Sequence, residues 1–311
     1  MSRSLILSAN YAGKSIELPE TFLRSIASTA TKSDVVLIAN HGTQGDQARL
    51  EKLLAGARIW VPIPKQRYRV FRRLANTFRP FARIVAAQLR EAWRKRPERR
   101  PLIEHKAAYL LNITCSRYFL ARQFLLHSDT YYDHVMLSDS RDVVFQRDPF
   151  DSLSDGVTTG LESVLVKEQA GNVGWLRLLY GDDSSFPMES VLNQKVICSG
   201  VTLGDTASVA AYLEKVCAEF MERLPRMIHT PYLDQGVHIG LLRTGRIEHA
   251  NMVSNGQEEI ATLGTSDLSE FTINDEGCVF AANGRLVRIV HQYDRHPTLA
   301  QKILARFSSN M

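Results

Sequence analysis

The stretch His134-Val-Met-Leu-Ser-Asp-Ser-Arg-Asp-Val-Val-Phe-Gln-Arg-Asp-Pro-Phe150 decides how the fold is read. Its apolar run, Val135 to Leu137, reads as a short buried strand that stops at two carboxylates, Asp139 and Asp142. In an open α/β sheet, ligands bind in the crevice beyond the carboxyl ends of the strands. Acidic side chains placed where a strand gives way to a turn suit a hard divalent cation and a diphosphate bridged to it. The same spacing also fits a solvated acidic turn, and the motif alone does not separate the two.

Outward from this stretch, strand and helix patterns alternate. Leu5–Ser8, Val35–Ala39 and Ile59–Ile63 are expected as early buried strands, with helices starting near Pro19 and near Gln47. Ala9-Asn10-Tyr11 ends the first strand with a polar and aromatic pair against which a nucleotide base could sit. One long helix is expected from about Glu104 to His127, with Arg117 near its middle. Downstream come a strand at Val157–Leu161, a helix around Trp175 to Tyr180 and a strand at Val196–Gly204. Two glycines in that last strand mark a close approach by a ligand or another backbone. Asp205 caps a helix running to about Arg223, and a second, shorter helix carries Asp234 and Gln235 near its start. Val279–Val290 reads as a hairpin with an Asn283-Gly284 turn, delivering His291 at its end.

A chain of 311 residues, 44% apolar and 23% charged, has the composition of an ordinary soluble globular protein, and residues 1–311 are read as a single domain. Its first residues hold too short an apolar run for a signal peptide, and no window approaches the ~20 apolar residues of a membrane span. Cys115, Cys198, Cys217 and Cys278 lack paired ligand spacing. They read as reduced thiols of a cytoplasmic protein, not as a zinc site or disulfide framework.

Charge is unevenly distributed. Lys65 to Arg100 holds 13 Lys or Arg against Glu91 and Glu98, a balance of +11, while the remaining 25 basic and 31 acidic residues carry −6. Tyr68, Phe71, Leu74, Phe78, Phe81, Ile84 and Trp93 are interleaved at spacings that fit a helical apolar face. Such a basic amphipathic insertion suits an anionic membrane surface and a peripheral location on the inner face of the membrane. A helix pair packed on the core with its charges in water is the plainer alternative. No recognised nucleic-acid-binding motif is present, and no nucleic-acid partner is expected.

A strand ending in clustered aspartates, then Ser199-Gly200-Val-Thr-Leu-Gly204, then Asp234-Gln235-Gly236, then a late strand ending in His291 resembles the glycosyltransferases of the GT-A fold. Within these the chain is most similar to family 8 and its bacterial relatives. The resemblance runs in order from about Leu5 to His296. It implies an α/β, Rossmann-like mixed sheet flanked by helices, with residues 65–100 as a basic helical insertion. It also implies a nucleotide-sugar donor, a UDP-sugar above all, a glycan or lipid-linked acceptor, and Mn²⁺ or Mg²⁺ as cofactor. Carried over residue by residue, Asp139, Asp142 and His291 become the metal ligands. Asp234, with Gln235 beside it, falls at the acceptor side as the catalytic candidate. Asn10, Tyr11, Arg117, Asp139, Ser140, Arg141, Ser199 and Gly200 become the donor-binding set. Two positions depart from the family pattern: Ser140 interrupts the usual Asp-x-Asp, and Cys198 replaces a common asparagine.

The chemistry has a reason for these groups. Transfer from a nucleotide sugar passes through an oxocarbenium-like transition state while negative charge builds on the departing phosphate. A metal ion acting as Lewis acid stabilises that charge by several kcal/mol. Arg117, Arg141 and Lys195 are candidates to add positive charge, and Asp234 to orient an acceptor hydroxyl or act as base, its alternative being a helix cap. Glu162 is a candidate for lining the sugar pocket. Asp148-Pro149-Phe150 reads as a turn with an aromatic anchor. Two other readings remain: a nucleotide-sugar-binding protein without turnover, and a membrane- or nucleic-acid-binding protein acting through the basic segment. Retention of anomeric configuration follows from the family 8 resemblance alone.

Overall fold

The computed structural model describes residues 3–10, 19–29, 31–39, 42–63, 65–228 and 230–308. Its strands are β1 (Ser4–Asn10), β2 (Ser33–Ala39), β3 (Arg58–Trp60), β4 (His134–Ser138), β5 (Val143–Phe145) and β6 (Val157–Leu165), followed by β7 (Lys195–Asp205), β8 (Ala250–Val253), β9 (Ile260–Thr262), β10 (Thr272–Ile273), β11 (Val279–Phe280) and β12 (Ile289–His291). The helices are α1 (Glu20–Ala27), α2 (Gln44–Leu53), α3 (Lys65–Thr77), α4 (Arg79–Lys95), α5 (Arg100–Ala108) and α6 (Ile113–His127), then α7 (Ala170–Tyr180), α8 (Met188–Leu192), α9 (Thr206–Met227), α10 (Leu233–Arg243) and α11 (Pro297–Ser308).

Seven strands form one mixed sheet in the order β3-β2-β1-β4-β7-β6-β8. Its strands run parallel except β7, which is antiparallel to both neighbours, β4 and β6. This is the mixed α/β sheet flanked by helices that the sequence implies. Alternate residues of β1 explain why both faces are covered. Leu5 and Leu7 pack into a cluster with residues of α5, α6 and α9, while Ile6 packs with α1 through Phe22 and Leu23 on the other face. The capping box of Thr43 with Asp46 starts α2, and Asp205 accepts from Ser208 N at 2.8 Å to start α9.

Three local expectations change. The helix expected over 104–127 is two helices, because the chain turns after Ala108 and Asn112 opens α6 by accepting from Thr114 N at 3.2 Å. The strand expected to reach Ile63 ends at Trp60. The late hairpin is tight only near its turn, where Gly284 has φ +77° and Val287 N donates to Val279 O at 3.0 Å. Beyond that β12 leaves its partner and joins a separate three-stranded sheet, β5-β12-β9, because Val290 packs there with Val144 and Ala261. That small sheet abuts the large one at the carboxyl end of β4. All four cysteines are buried and unpaired. No helix among the described residues is long and apolar enough to cross a membrane.

Candidate active site

Three chain segments meet at the carboxyl edge of β4. Asp139 follows β4 and its N–H donates to Gly200 O of β7 at 2.7 Å. Asp142 immediately precedes β5, and its carbonyl accepts from Gln292 N at 2.7 Å. His291 ends β12, opposite Val143. Backbone pairing sets His291 beside Asp142, although His291 lies far along the chain, and the packing of the small sheet on the large one brings Asp139 to them. Their ligand-capable atoms all fall within 4.8 Å of one another. His291 Nε2 stands 3.8 Å from Asp142 Oδ1 and 4.0 Å from Asp139 Oδ2.

Several features suit a divalent cation there. His291 is 1% exposed, yet its Nε2 has no hydrogen-bond partner among the described residues. An orphaned buried nitrogen is costly unless something else occupies its lone pair. Nδ1 lies 3.6 Å from Cys198 Sγ; with Nδ1 donating to the sulfur, Nε2 presents its lone pair toward the two carboxylates. Burial pushes the Asp142 carboxyl up, the His291 imidazole opposes this, and Asp139 adds to it. Gly200 is the residue that makes room: a Cβ there would lie 2.5 Å from His291 Nε2 and 2.9 Å from Asp139 Oδ2. Two carboxylates and an imidazole in a partly dry site form a donor set that could hold a divalent cation.

Arg117 reaches this group from α6. It pairs with Asp139 Oδ1 and lies 3.3 Å from Asp234 Oδ2. Its charge persists despite burial because Asp139 and Asp234 oppose the desolvation. Asp234, in the first turn of α10, is raised to about 6 by burial, which outweighs the opposing attraction of Arg117. Its Oδ1 is buried, with no hydrogen-bond partner of normal geometry among the described residues. Gln235 spans the β7 edge: Oε1 accepts from Ser199 N at 2.9 Å and Nε2 donates to Ile197 O at 2.6 Å.

All of these residues line one open cleft of about 1190 Å³, together with Ser140, Arg141 and Ser199. Arg141 is largely exposed and lies 3.2 Å from Asp294 and 3.6 Å from Asp142. Glu162 lines the cleft too, its carboxylate accepting from Gln169 Nε2 and Thr265 Oγ1, each at 3.2 Å. Lys195, at the far start of β7, does not line it. The side chain of Asn10 and all of Tyr11 lie outside the described residues. Asp148 accepts from Phe150 N at 2.9 Å, as expected of a turn with an aromatic anchor. The sequence reading missed Asn172 and Trp175 of α7 and Gln292, which also line the cleft. Gln292 follows His291 with φ +60°, a left-handed conformation that no sequence signal announces for glutamine.

No protein-family model matches the chain, and no curated protein matches it. Among solved structures it is similar to the glycosyltransferase GlyE of Streptococcus pneumoniae TIGR4, with a TM-score of 0.47 and 11% identity, over 99% of this chain and 62% of that one. The chain thus spans less than two thirds of that structure, and a likeness this distant carries no functional weight.

Proposed function

We propose that the protein is a metal-dependent glycosyltransferase that moves a sugar from a nucleoside-diphosphate sugar, UDP-linked, to a glycan or lipid-linked acceptor. The observation that carries this reading is the convergence of Asp139, Asp142 and the orphaned His291 Nε2 beside Gly200, inside a wide polar cleft at the carboxyl edge of the sheet. Asp139, Asp142 and His291 would hold the Mn²⁺ or Mg²⁺, which when bound supplies positive charge to the departing diphosphate. Cys198 orients the imidazole, and Gln235, with both ends of its amide engaged on β7, fixes the backbone at Ser199 and Gly200. Arg117 adds a fixed positive charge and couples the acidic pair to Asp234. Asp234, which lines the cleft, accepts a hydrogen bond from an acceptor hydroxyl, and a pKa raised to about 6 suits it to hold that proton. Glu162 offers an acceptor for sugar hydroxyls. Retention at the anomeric carbon is part of the proposal and rests on the family 8 resemblance.

Thermal-shift measurement across a panel of nucleotide sugars, with and without Mn²⁺, tests the donor reading. A donor should raise the melting temperature by mass action only when metal is present. Asp142→Asn keeps shape and removes charge, so it should abolish that metal-dependent shift and cut transfer by about two orders of magnitude while the apo protein stays folded. No metal-dependent shift with any nucleotide sugar would sink the proposal. Donor binding without hydrolysis or transfer would favour a sugar-nucleotide-binding protein instead.

A further inference from the structure

Helices α3 and α4, which carry most of the basic segment, bury one apolar face and leave another uncovered. Among the described residues, the side chains they bury are Ala75, Ala82, Ala86 and Trp93, with Val85 and Leu89 packed partly buried against the same core. Six further apolar residues, Val70, Phe71, Leu74, Phe78, Phe81 and Ile84, are each at least 47% exposed, and Phe81 reaches 64%. Small residues let α4 lie close against the core, whereas the outward face exposes the side chains that a solvated helix would bury. A concentration of exposed apolar side chains on one helix pair marks an interaction site, since scattered exposure does not gather six large residues there.

Charge identifies the occupant. Arg67, Arg69, Arg73, Arg79 and Arg83 are exposed among these apolar residues and make no ion pair with a described acidic group. Farther along, Arg94 pairs with Glu222, Lys95 with Glu91 and Arg99 with Glu98, so more of the charge there is neutralised. Over Lys65 to Arg100 the balance is +11. A protein partner would have to be both acidic and apolar over this area, and a second copy would bring the same positive charge against it. An anionic bilayer satisfies both demands at once, with headgroups for the arginines and acyl chains for the aromatic and aliphatic residues. Orientation fits as well. Chain from the carboxyl end of β3, the sheet edge that also holds the cleft, leads directly into α3. Phe71 rests edge-on against Tyr109 at 5.3 Å, four residues before the cleft-lining Ile113.

We propose that the outward face of α3 and α4 docks on an anionic lipid bilayer, inserting Val70, Leu74, Phe78, Phe81 and Ile84 between headgroups held by the flanking arginines. The proposal stands independently of the transferase reading, because it needs neither metal nor donor. Co-sedimentation of the full chain with phosphatidylcholine vesicles, with and without phosphatidylglycerol, at low and high salt, tests it. Binding should require the anionic lipid and weaken with salt. Phe81→Gln with Ile84→Gln should lower vesicle affinity by about tenfold or more, since two apolar side chains no longer insert. Arg79→Glu with Arg83→Glu should remove the preference for anionic lipid. Both variants should keep the wild-type melting temperature, because the residues replaced face outward. Equal binding to both vesicle types, binding to neither, or variants that bind as wild type would overturn the proposal. So would salt-sensitive binding to duplex DNA without binding to vesicles, or a dimer in light scattering that the Phe81→Gln/Ile84→Gln variant dissociates.

Discussion

Gly200 makes the sharpest demand of any single residue. Any side chain there meets the His291 ring, so Gly200→Ala must displace the imidazole or the Asp139 carboxylate. We expect a stability cost of about 1–3 kcal/mol from overpacking, together with loss of metal-dependent donor binding. Gly174→Ala is the control: a Cβ there meets nothing within 4 Å on α7, and the change should stabilise by about 0.5–1 kcal/mol. Urea denaturation of both variants reads the two signs, and calorimetry with Mn²⁺ reads the binding. Asp234 makes a second prediction through its pKa, raised by burial to about 6. Folding favours its protonated form, so the stabilising contribution is complete below pH ~4 and lost as pH rises through ~6. Asp234→Asn should therefore be more stable than wild type by about 2–3 kcal/mol above pH 7, the gap closing toward pH 4. A gap that stayed constant from pH 4 to 8 would show that the carboxyl is ionised throughout. The sequence revealed Asp139, Asp142, Asp234 and His291 as residue types at strand and helix ends. It could not reveal that Arg117 bridges Asp139 and Asp234, because a long side chain's partner is set by tertiary placement.

Elements were legible in proportion to their length and periodicity. The buried runs of β1, β2 and β7 and the capped α9 lie close to where apolar pattern and Asp205 put them. The three-residue strands β5 and β9 passed unseen, since so short an apolar run carries no period. The break between α5 and α6 was hidden for another reason: Leu110 and Leu111 sustain the helical spacing right through it, and both are buried there. What restarts the helix is the Asn112 side chain, and that cap can be tested. Asn112→Ala should cost about 1 kcal/mol, and Asn112→Gly only a few tenths, with the urea m-value unchanged. Equal losses for the two variants would mean that the cap is not what starts α6. Because α6 carries Arg117 into the cleft, the alanine variant should weaken donor binding by no more than its frayed first turn allows.

At the scale of the whole molecule, the site joins two sheets that, among the described residues, share no backbone pairing with each other. The large sheet contributes Asp139 and Gly200, and the small one contributes Asp142, which leads into β5, and His291, which ends β12. An ion held by Asp139, Asp142 and His291 would therefore act as a cross-link between sheets, resisting any opening that separates β12 from β7. Local opening sets amide exchange, so bound metal should slow exchange in the elements it ties together and leave distant ones alone. We expect Mn²⁺ to increase protection at Val143–Phe145, at Ile289–His291 and at Ser199–Val201. The outward α3 and α4 should be unchanged, since they touch neither sheet at the site. His291→Ala should abolish the metal-induced protection while preserving the apo exchange pattern elsewhere. Protection gained in α3 and α4 instead, or an unchanged response in His291→Ala, would place the metal somewhere other than between the two sheets. The same measurement with anionic vesicles should protect the opposite set, α3 and α4 without β5 or β12, because lipid docking and metal binding use surfaces with no residue in common.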